Sequence, residues 1–166
     1  MGKLIRSLLV FVAFAGGASV QAQQTAESFF EAYKQVGFLT VDANSERDLT
    51  IGYKMPKAMA NLYEMSELCE EWVTINNWKW YYDIAIMFKE DSESNDAYAQ
   101  SLIGMALTQI KDAEAFSVDE DWNSAVASLE DAYYNLQTAI ATYTIYVESD
   151  IAGVEYYTYK MFACLP

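Results

Sequence analysis

The sequence predicts an all-α protein, an antiparallel helical bundle of about four principal helices with short terminal helices packed against it. The prediction depends first on the stretch from Trp122 to Val147, where large apolar residues are spaced alternately four and three apart, as on one face of a helix. These residues are Trp122, Val126, Leu129, Tyr133, Leu136, Ile140, Tyr143 and Val147. Alanines recur every seven residues beside this stripe, at positions 125, 132 and 139. Because a lone helix with such an apolar face is not stable in water, the rest of the chain should supply packing partners.

The principal helices are predicted near residues 57–73, 78–90, 95–116 and 119–149. A short first helix over 26–36 is expected to be capped by Thr25 and to end at Gly37 in a left-handed conformation. Residues 38–55 are mostly polar and aperiodic, so we interpret them as a connection laid over the bundle. Pro56 suits the first turn of the next helix. Residues 90–96 are acidic and polar, and we predict a turn there.

Both ends of the last principal helix carry further signals. Ser117 and Glu120 have capping-box spacing, and the acidic residues 119–121 suit a first helical turn. Beyond Val147 the apolar stripe continues only after a shift by one residue, through Ile151, Val154 and Met161, which indicates an insertion that locally unwinds the helix. Gly153 could mark a break. Residues 142–147 are also β-branched and aromatic enough for a strand, which is the competing interpretation.

Residues 1–22 resemble a secretory signal peptide. Lys3 and Arg6 precede an apolar run from Leu8 to Ala15, and the segment ends in a Val-Gln-Ala cleavage box. Export predicts an extracellular protein, or a periplasmic one in a Gram-negative source, with residues 23–166 as a single domain. Because an exported chain meets an oxidising compartment, Cys69 and Cys164, the two cysteines of the chain, are expected to form a disulfide.

The composition narrows the choice of partners. The net charge is −14, and removal of the two basic residues of the signal peptide makes it −16. This charge argues against binding to nucleic acid or anionic lipid. No later stretch approaches the roughly twenty apolar residues of a membrane helix, so we expect no stable membrane insertion. The 13 tyrosines and four tryptophans provide enough apolar material for a folded core.

The sequence lacks most of the residue types and motifs on which catalysis usually depends. The chain has no histidine, which removes the serine and cysteine triads and the usual general base near neutral pH. Phosphate-binding glycine loops and dinucleotide fingerprints are missing as well. The oxygen-bearing side chains of Asp91, Glu93, Asn95 and Asp96 form an acidic segment, but it lacks the glycine and final glutamate of a calcium loop. We therefore predict no catalytic residue, no cofactor and no metal, and a protein that is not an enzyme.

The predicted function is binding of a protein partner with a basic surface, which the chain would inhibit or neutralise. Aromatic residues inside an acidic field suit association with a cationic surface. The candidate ligand or partner face consists of Trp78, Trp80, Tyr81, Tyr82, Phe88, Tyr133 and Tyr143.

Two alternatives stay open at this point. If the segment from Trp78 to Phe88 faces Tyr133 and Tyr143, the protein could carry a small apolar ligand between its helices. It could also be a structural component of an extracellular material, with the tyrosines at 156, 157 and 159 available for stacking or cross-linking. The sequence does not fix an oligomeric state.

Overall fold

The computed structural model describes residues 23–166, and within this range nearly every residue is helical and none lies in a strand. The all-α prediction is confirmed, but the chain forms three long helices rather than four. Helix α1 covers residues 26–72, α2 is Trp78–Val118 and α3 covers residues 122–162. The predicted signal peptide lies outside the described residues.

Helix α1 joins the predicted short first helix to the predicted second one. It consists of α-helical Ala26–Leu49, a π-helical turn Thr50–Lys54 and α-helical Met55–Trp72. The predicted cap is confirmed, because the Thr25 hydroxyl accepts from the Ser28 N–H at 3.2 Å. The interpretation of residues 38–55 as a connection was wrong, and Gly37 does not end the helix. The buried face simply continues with smaller side chains, at Val36, Leu39, Ala43 and Thr50.

Pro56 does not begin a helix after a loop; it lies inside α1, directly after the π turn. A proline in a regular helix removes one backbone hydrogen bond and clashes with the carbonyl four residues earlier. Just before it, the Met55 N–H reaches five residues back to the Thr50 carbonyl. The proline therefore falls where the regular ladder of the α-helix is already interrupted.

Helix α2 is one helix of 41 residues, so the predicted turn at residues 90–96 was wrong. A series of small residues, spaced by seven, carries the buried face straight through this acidic segment. Its members are Ala85, Ser92, Ala99, Ala106 and Ala113, all at most 1% exposed. The Ser92 hydroxyl donates to the Lys89 carbonyl at 2.6 Å, which satisfies it inside the helix.

Helix α3 contains the apolar stripe that the sequence analysis singled out. It begins at Trp122 and is capped by Asp121, whose carboxylate accepts from the Ser124 N–H at 3.2 Å. The predicted capping box at Ser117 and Glu120 was wrong, because Glu120 lies in the preceding turn with a left-handed φ of 56°. Of the eight stripe residues, Trp122 and Ile140 are partly exposed and the others are buried.

The predicted register shift in α3 is confirmed as a π-helical turn, Thr142–Val147, which also excludes the strand interpretation. After it, Ile151, Val154 and Met161 are buried as expected from the shifted spacing. Gly153 does not break the helix, which continues to Phe162.

Paired side chains show how the three helices run. Along α2 and α3, Gln109 pairs with Asn135, Gln100 with Tyr143 and Asn95 with Asp150, so these helices are antiparallel. The ring of Phe29 on α1 contacts that of Trp122 at the start of α3, and Lys54 further along α1 binds Glu148 further along α3. Helices α1 and α3 are therefore parallel. Helix α3 packs extensively against both α2 and α1, whereas α1 and α2 contact each other less.

Candidate functional site

The structure divides the predicted aromatic face into two parts. At the start of α2, Trp78 is buried, Tyr81 and Tyr82 are half-buried and Trp80 is 62% exposed. The rings of Tyr81 and Phe88 lie 6.2 and 5.9 Å from Tyr157, near the end of α3. The rings of this segment therefore meet Tyr157 on α3.

Tyr143 belongs instead to a partly buried polar cluster that connects all three helices, formed by Arg47, Asp96, Gln100 and Tyr143. The Tyr143 hydroxyl donates to Asp96 Oδ1 at 2.7 Å and accepts from the Gln100 amide at 3.1 Å. Arg47 binds the same carboxylate in a bidentate manner, with Nε at 2.8 Å and Nη2 at 3.1 Å. The Tyr143 side chain is completely buried. The polar cluster thus lies beside the π turns of both α1 and α3.

The protonation states of the polar cluster fit a structural role. Burial raises the pKa of Asp96, but the hydrogen bonds from Arg47 and Tyr143 outweigh burial and hold the pKa below its usual range. Burial, together with the neighbouring Asp96 carboxylate, raises the pKa of Tyr143 to about 12. Neither group exchanges a proton near neutral pH, so neither suits general acid or base catalysis.

Two further polar pairs follow along the same region. Lys54 donates to Glu148 at 2.5 Å, joining the end of one π turn to the residue after the other. The Asn95 amide donates to Asp150 Oδ2 at 2.9 Å. Burial raises the pKa of the Asp150 carboxyl, helped by the nearby charge of Asp91, while the bond from Asn95 works in the opposite direction.

Tyr133, the other tyrosine of the predicted face, is buried on α3, where its hydroxyl accepts from the Gln137 amide at 2.9 Å. Its position matters because Gln137 lies in the wall of an open groove between the outer sides of α2 and α3. This groove, about 650 Å³ in volume, is lined by Asn95, Tyr98, Tyr134, Gln137, Thr138, Ala141, Thr142, Ile145 and Tyr146. We call it the α2–α3 groove.

Three exposed tyrosines give the α2–α3 groove its character. Tyr98, Tyr134 and Tyr146 are 53%, 68% and 59% exposed, and Ile145 between them is 60% exposed. Tyrosine combines a large apolar surface with a hydroxyl, which explains its enrichment at protein interfaces. The sequence analysis missed these residues because they lie off the buried stripe.

The middle of the α2–α3 groove is also free of charge. Residues 97–110 of α2 and 132–147 of α3 contain no acidic or basic residue, although the chain carries 24 acidic residues. On α2 the exposed residues Asp91, Tyr98, Met105 and Asp112 are spaced by seven and so lie along one line. Carboxylates therefore stand at both ends of an uncharged, tyrosine-rich surface. These uncharged segments are the sequence signal that could have located the groove.

The ends of the groove gather acidic residues from both helices. At one end the charge of Asp91 acts on Asp150 of α3. At the other end, the pairing of Gln109 with Asn135 places Asp112 and Asp131 at the same level of the antiparallel helices. Carboxylates therefore lie beyond each end of the groove, although none belongs to its lining.

The two cysteines lie at the same end of the molecule as free thiols. The buried Cys69 donates to the Met161 carbonyl at 3.5 Å, and Cys164 donates to the Lys160 carbonyl at 3.4 Å. Burial raises the pKa of Cys69, which lowers its reactivity as a thiolate. Their pairing as a disulfide stays a prediction.

Within residues 23–166, no group of three or more acidic or cysteine side chains is arranged to hold a metal ion. In the acidic segment of α2, Glu93 is paired with Lys89 and Asp96 with Arg47. None of the helices in this range is long and apolar enough to cross a membrane. Comparison of the chain with protein-family models, curated proteins and solved structures gave no match.

Proposed function

We propose that the protein is a secreted, non-enzymatic helical-bundle binding protein that engages a partner with a basic surface through the α2–α3 groove. One observation supports the proposal above all: an uncharged groove with three exposed tyrosines, with carboxylates beyond each end, in a chain of net charge −14. The centres of protein interfaces are depleted of charged residues and enriched in tyrosine, while charges at the rim speed association and select partners.

The surrounding charge supports a cationic partner in particular. A strongly acidic protein attracts a basic surface from a distance and repels other acidic proteins. Tyrosines on a helix lose few degrees of freedom when a partner covers them, so they supply contact area at low entropic cost. Binding of this kind accounts for the acidic field and the exposed tyrosines together, and it needs no catalytic group.

The proposal is tested by capture of partners from the extracellular fluid of the producing cells, with the protein immobilised. The captured protein should be basic, and its association should slow markedly between low and physiological salt, where the Debye length falls to about 8 Å. A matched immobilised protein of equal negative charge controls for simple ion exchange. The proposal is refuted if no protein is captured at low salt, or if the charge control captures every protein that is.

A second candidate function, carriage of a small apolar ligand, is favoured by the ring cluster at the opposite end of α2. There Tyr81 and Phe88 lie against Tyr157, and Tyr156 stands edge-on to Tyr157 at 5.1 Å. Binding of a neutral ligand at these rings would hardly change with salt. Organic extraction of the purified protein distinguishes the two functions, because a carrier should release a stoichiometric lipid or pigment.

A further inference from the structure

The partner's recognition element can be described more closely, on the assumption that the proposed function holds. We propose that the α2–α3 groove binds an amphipathic helix of the partner, with an uncharged stripe at its centre and basic residues at both ends. Three features support such a helix: the hydrogen bonding of the groove wall, the spacing of the carboxylates beyond its ends and the repulsion between copies of this chain.

The groove wall offers an extended peptide no free backbone edge to pair with, because the backbones of α2 and α3 are hydrogen-bonded within their own helices. In addition, one donor of each of four wall side chains is already used: Asn95 donates to Asp150, Gln137 to Tyr133, Thr138 to the Tyr134 carbonyl and Thr142 to the Thr138 carbonyl. An extended segment would bury backbone N–H and C=O groups without partners, which costs free energy for each group. A helix forms its backbone hydrogen bonds internally, so it can be buried against this wall without leaving backbone groups unpaired. Grooves between two helices commonly bind amphipathic helices.

The acidic ends set the length of the bound helix. Asp91 and Asp112 are 21 residues apart on one line of α2, which corresponds to about 31 Å at the rise of an α-helix. A bound helix of roughly twenty residues would place basic side chains near both ends of the groove. Its middle would present apolar side chains to Tyr98, Tyr134 and Ile145 of the groove, which are 53%, 68% and 60% exposed.

A second copy of the chain is a poor occupant of the groove. In a two-fold dimer the same surface of each copy meets its equal. Residues Asp91, Asp112 and Asp131 of one copy would then approach the acidic ends of the other, between two molecules of net charge −14 each. Like charges facing each other oppose such an interface, whereas a helix with basic ends complements it.

The test uses the full chain and a synthetic helical probe of about 22 residues, long enough to span the groove. The probe has an alanine and leucine stripe and two arginines at each end. An isomer of identical composition carries all four arginines at the centre of its apolar stripe. Fluorescence anisotropy of labelled probe, titrated with protein, should give at least about tenfold tighter binding of the end-charged probe. Equal affinities of the two isomers, or binding of neither, would overturn the inference.

Substitutions on α3 show whether the groove is the site. Tyr134→Lys places a charge in the groove and should weaken binding of the end-charged probe by about tenfold or more. Tyr159→Lys is its control, because Tyr159 is also on α3, is 64% exposed and lies outside the groove lining. It should leave the affinity within about twofold. Equal loss in both variants would place the probe elsewhere and overturn the inference.

Charge at the end of the groove gives an independent readout. Asp112→Asn should weaken binding at low salt and reduce its salt dependence, because one attractive charge is removed. Asp42→Asn, on the exposed side of α1, is the matched control and should have a smaller effect on both quantities. Equal effects of the two substitutions would indicate attraction by net charge alone and would contradict a seat between the acidic ends.

The same variants separate this inference from the proposed function. Capture of a basic partner by wild type and Tyr134→Lys alike would overturn the helix-in-groove inference and the use of the groove, but binding of a basic partner would stand. Failure of wild type to capture any partner, with discrimination between the probes intact, would contradict the proposed function alone. A dimer in solution that Tyr134→Lys dissociates would identify a second copy as the occupant and would also overturn the inference.

Discussion

Replacing Tyr143 by phenylalanine should destabilise the protein by about 2 kcal/mol at neutral pH. The substitution removes a single oxygen from a completely buried ring. That oxygen donates to the ionised Asp96 carboxylate at 2.7 Å, and hydrogen bonds to charged groups contribute roughly 1.5 to 3 kcal/mol. The second bond, from Gln100, contributes less because that side chain is exposed and can turn to water. Arg47 remains on the carboxylate, so Asp96 does not become an unpaired buried charge.

The charge of Asp96 should account for about half of this effect. In an Asp96→Asn background the bond joins two neutral groups and falls to about 1 kcal/mol, so Tyr143→Phe should cost about 1 kcal/mol less there than in the wild type. Urea unfolding followed by far-ultraviolet circular dichroism at 25 °C measures each free energy, and the double-mutant cycle gives the coupling. Arg47→Met is the control for the exposed side of the polar cluster and should cost less, because Arg47 is 40% exposed.

The pH dependence provides a further check on the same bond. The pKa of Asp96 is lowered in the folded protein, so its contribution is fully present above the unfolded pKa of about 3.9 and is lost as the pH falls through the folded pKa. The difference in free energy of unfolding between wild type and Asp96→Asn should therefore vanish in acid. A loss below 0.5 kcal/mol for Tyr143→Phe at pH 7, about the usual limit for surface substitutions, would refute the structural role of the polar cluster.

Three other outcomes are expected. Gly153→Ala should destabilise by about 1 to 3 kcal/mol, because its Cβ would meet the Phe88 ring at 2.6 Å. Gly37→Ala, with open space around it, should instead stabilise by about 0.5 to 1 kcal/mol. Changes of equal or reversed sign in urea unfolding would contradict this packing. Because the pKa of Asp150 is raised, its ionised form disfavours folding, so Asp150→Asn should not destabilise the protein at pH 7. Any gain in stability over wild type should disappear as the pH falls below the unfolded pKa. A clearly lower melting temperature of the variant at pH 7 would count against this expectation. Intact-mass analysis before and after reduction should show a disulfide in protein from its native compartment, and two freely alkylated thiols would exclude the bond.

The fold class followed from hydrophobic spacing, but the number of helices did not. The stripe of α3 uses large residues such as Leu129 and Leu136, so its period is visible directly. In α2 the buried face passes through the acidic segment on Ala85, Ser92 and Ala99. Small side chains carry little hydrophobic signal, although their spacing by seven is as regular as that of the large ones. The predicted turn resulted from weighting polarity above this period.

The candidate site was harder to predict because its residues are exposed. Tyr143 lies on the apolar stripe of α3, so its burial follows from the spacing of that stripe. Tyr98 and Tyr134 are exposed and lie off the buried stripes of their helices, so spacing alone does not single them out. Their significance comes from the pairing of α2 with α3, which aligns two uncharged segments far apart in sequence. The polar cluster likewise depends on tertiary structure, since Arg47 and Asp96 lie 49 residues apart.

Each of the two π turns sets the rotational phase of the second half of its own helix. Each adds one residue to its helix, and a residue corresponds to about 100° of rotation. Deleting one residue from Thr142–Val147 alone would change the phase of the second half of α3 and turn Ile151 and Val154 away from the core. The second half of α1 would keep its own phase, because Thr50–Lys54 would be intact. A one-residue deletion in either π turn would therefore expose a buried face of its own helix, whereas a substitution there leaves the phase of the helix unchanged.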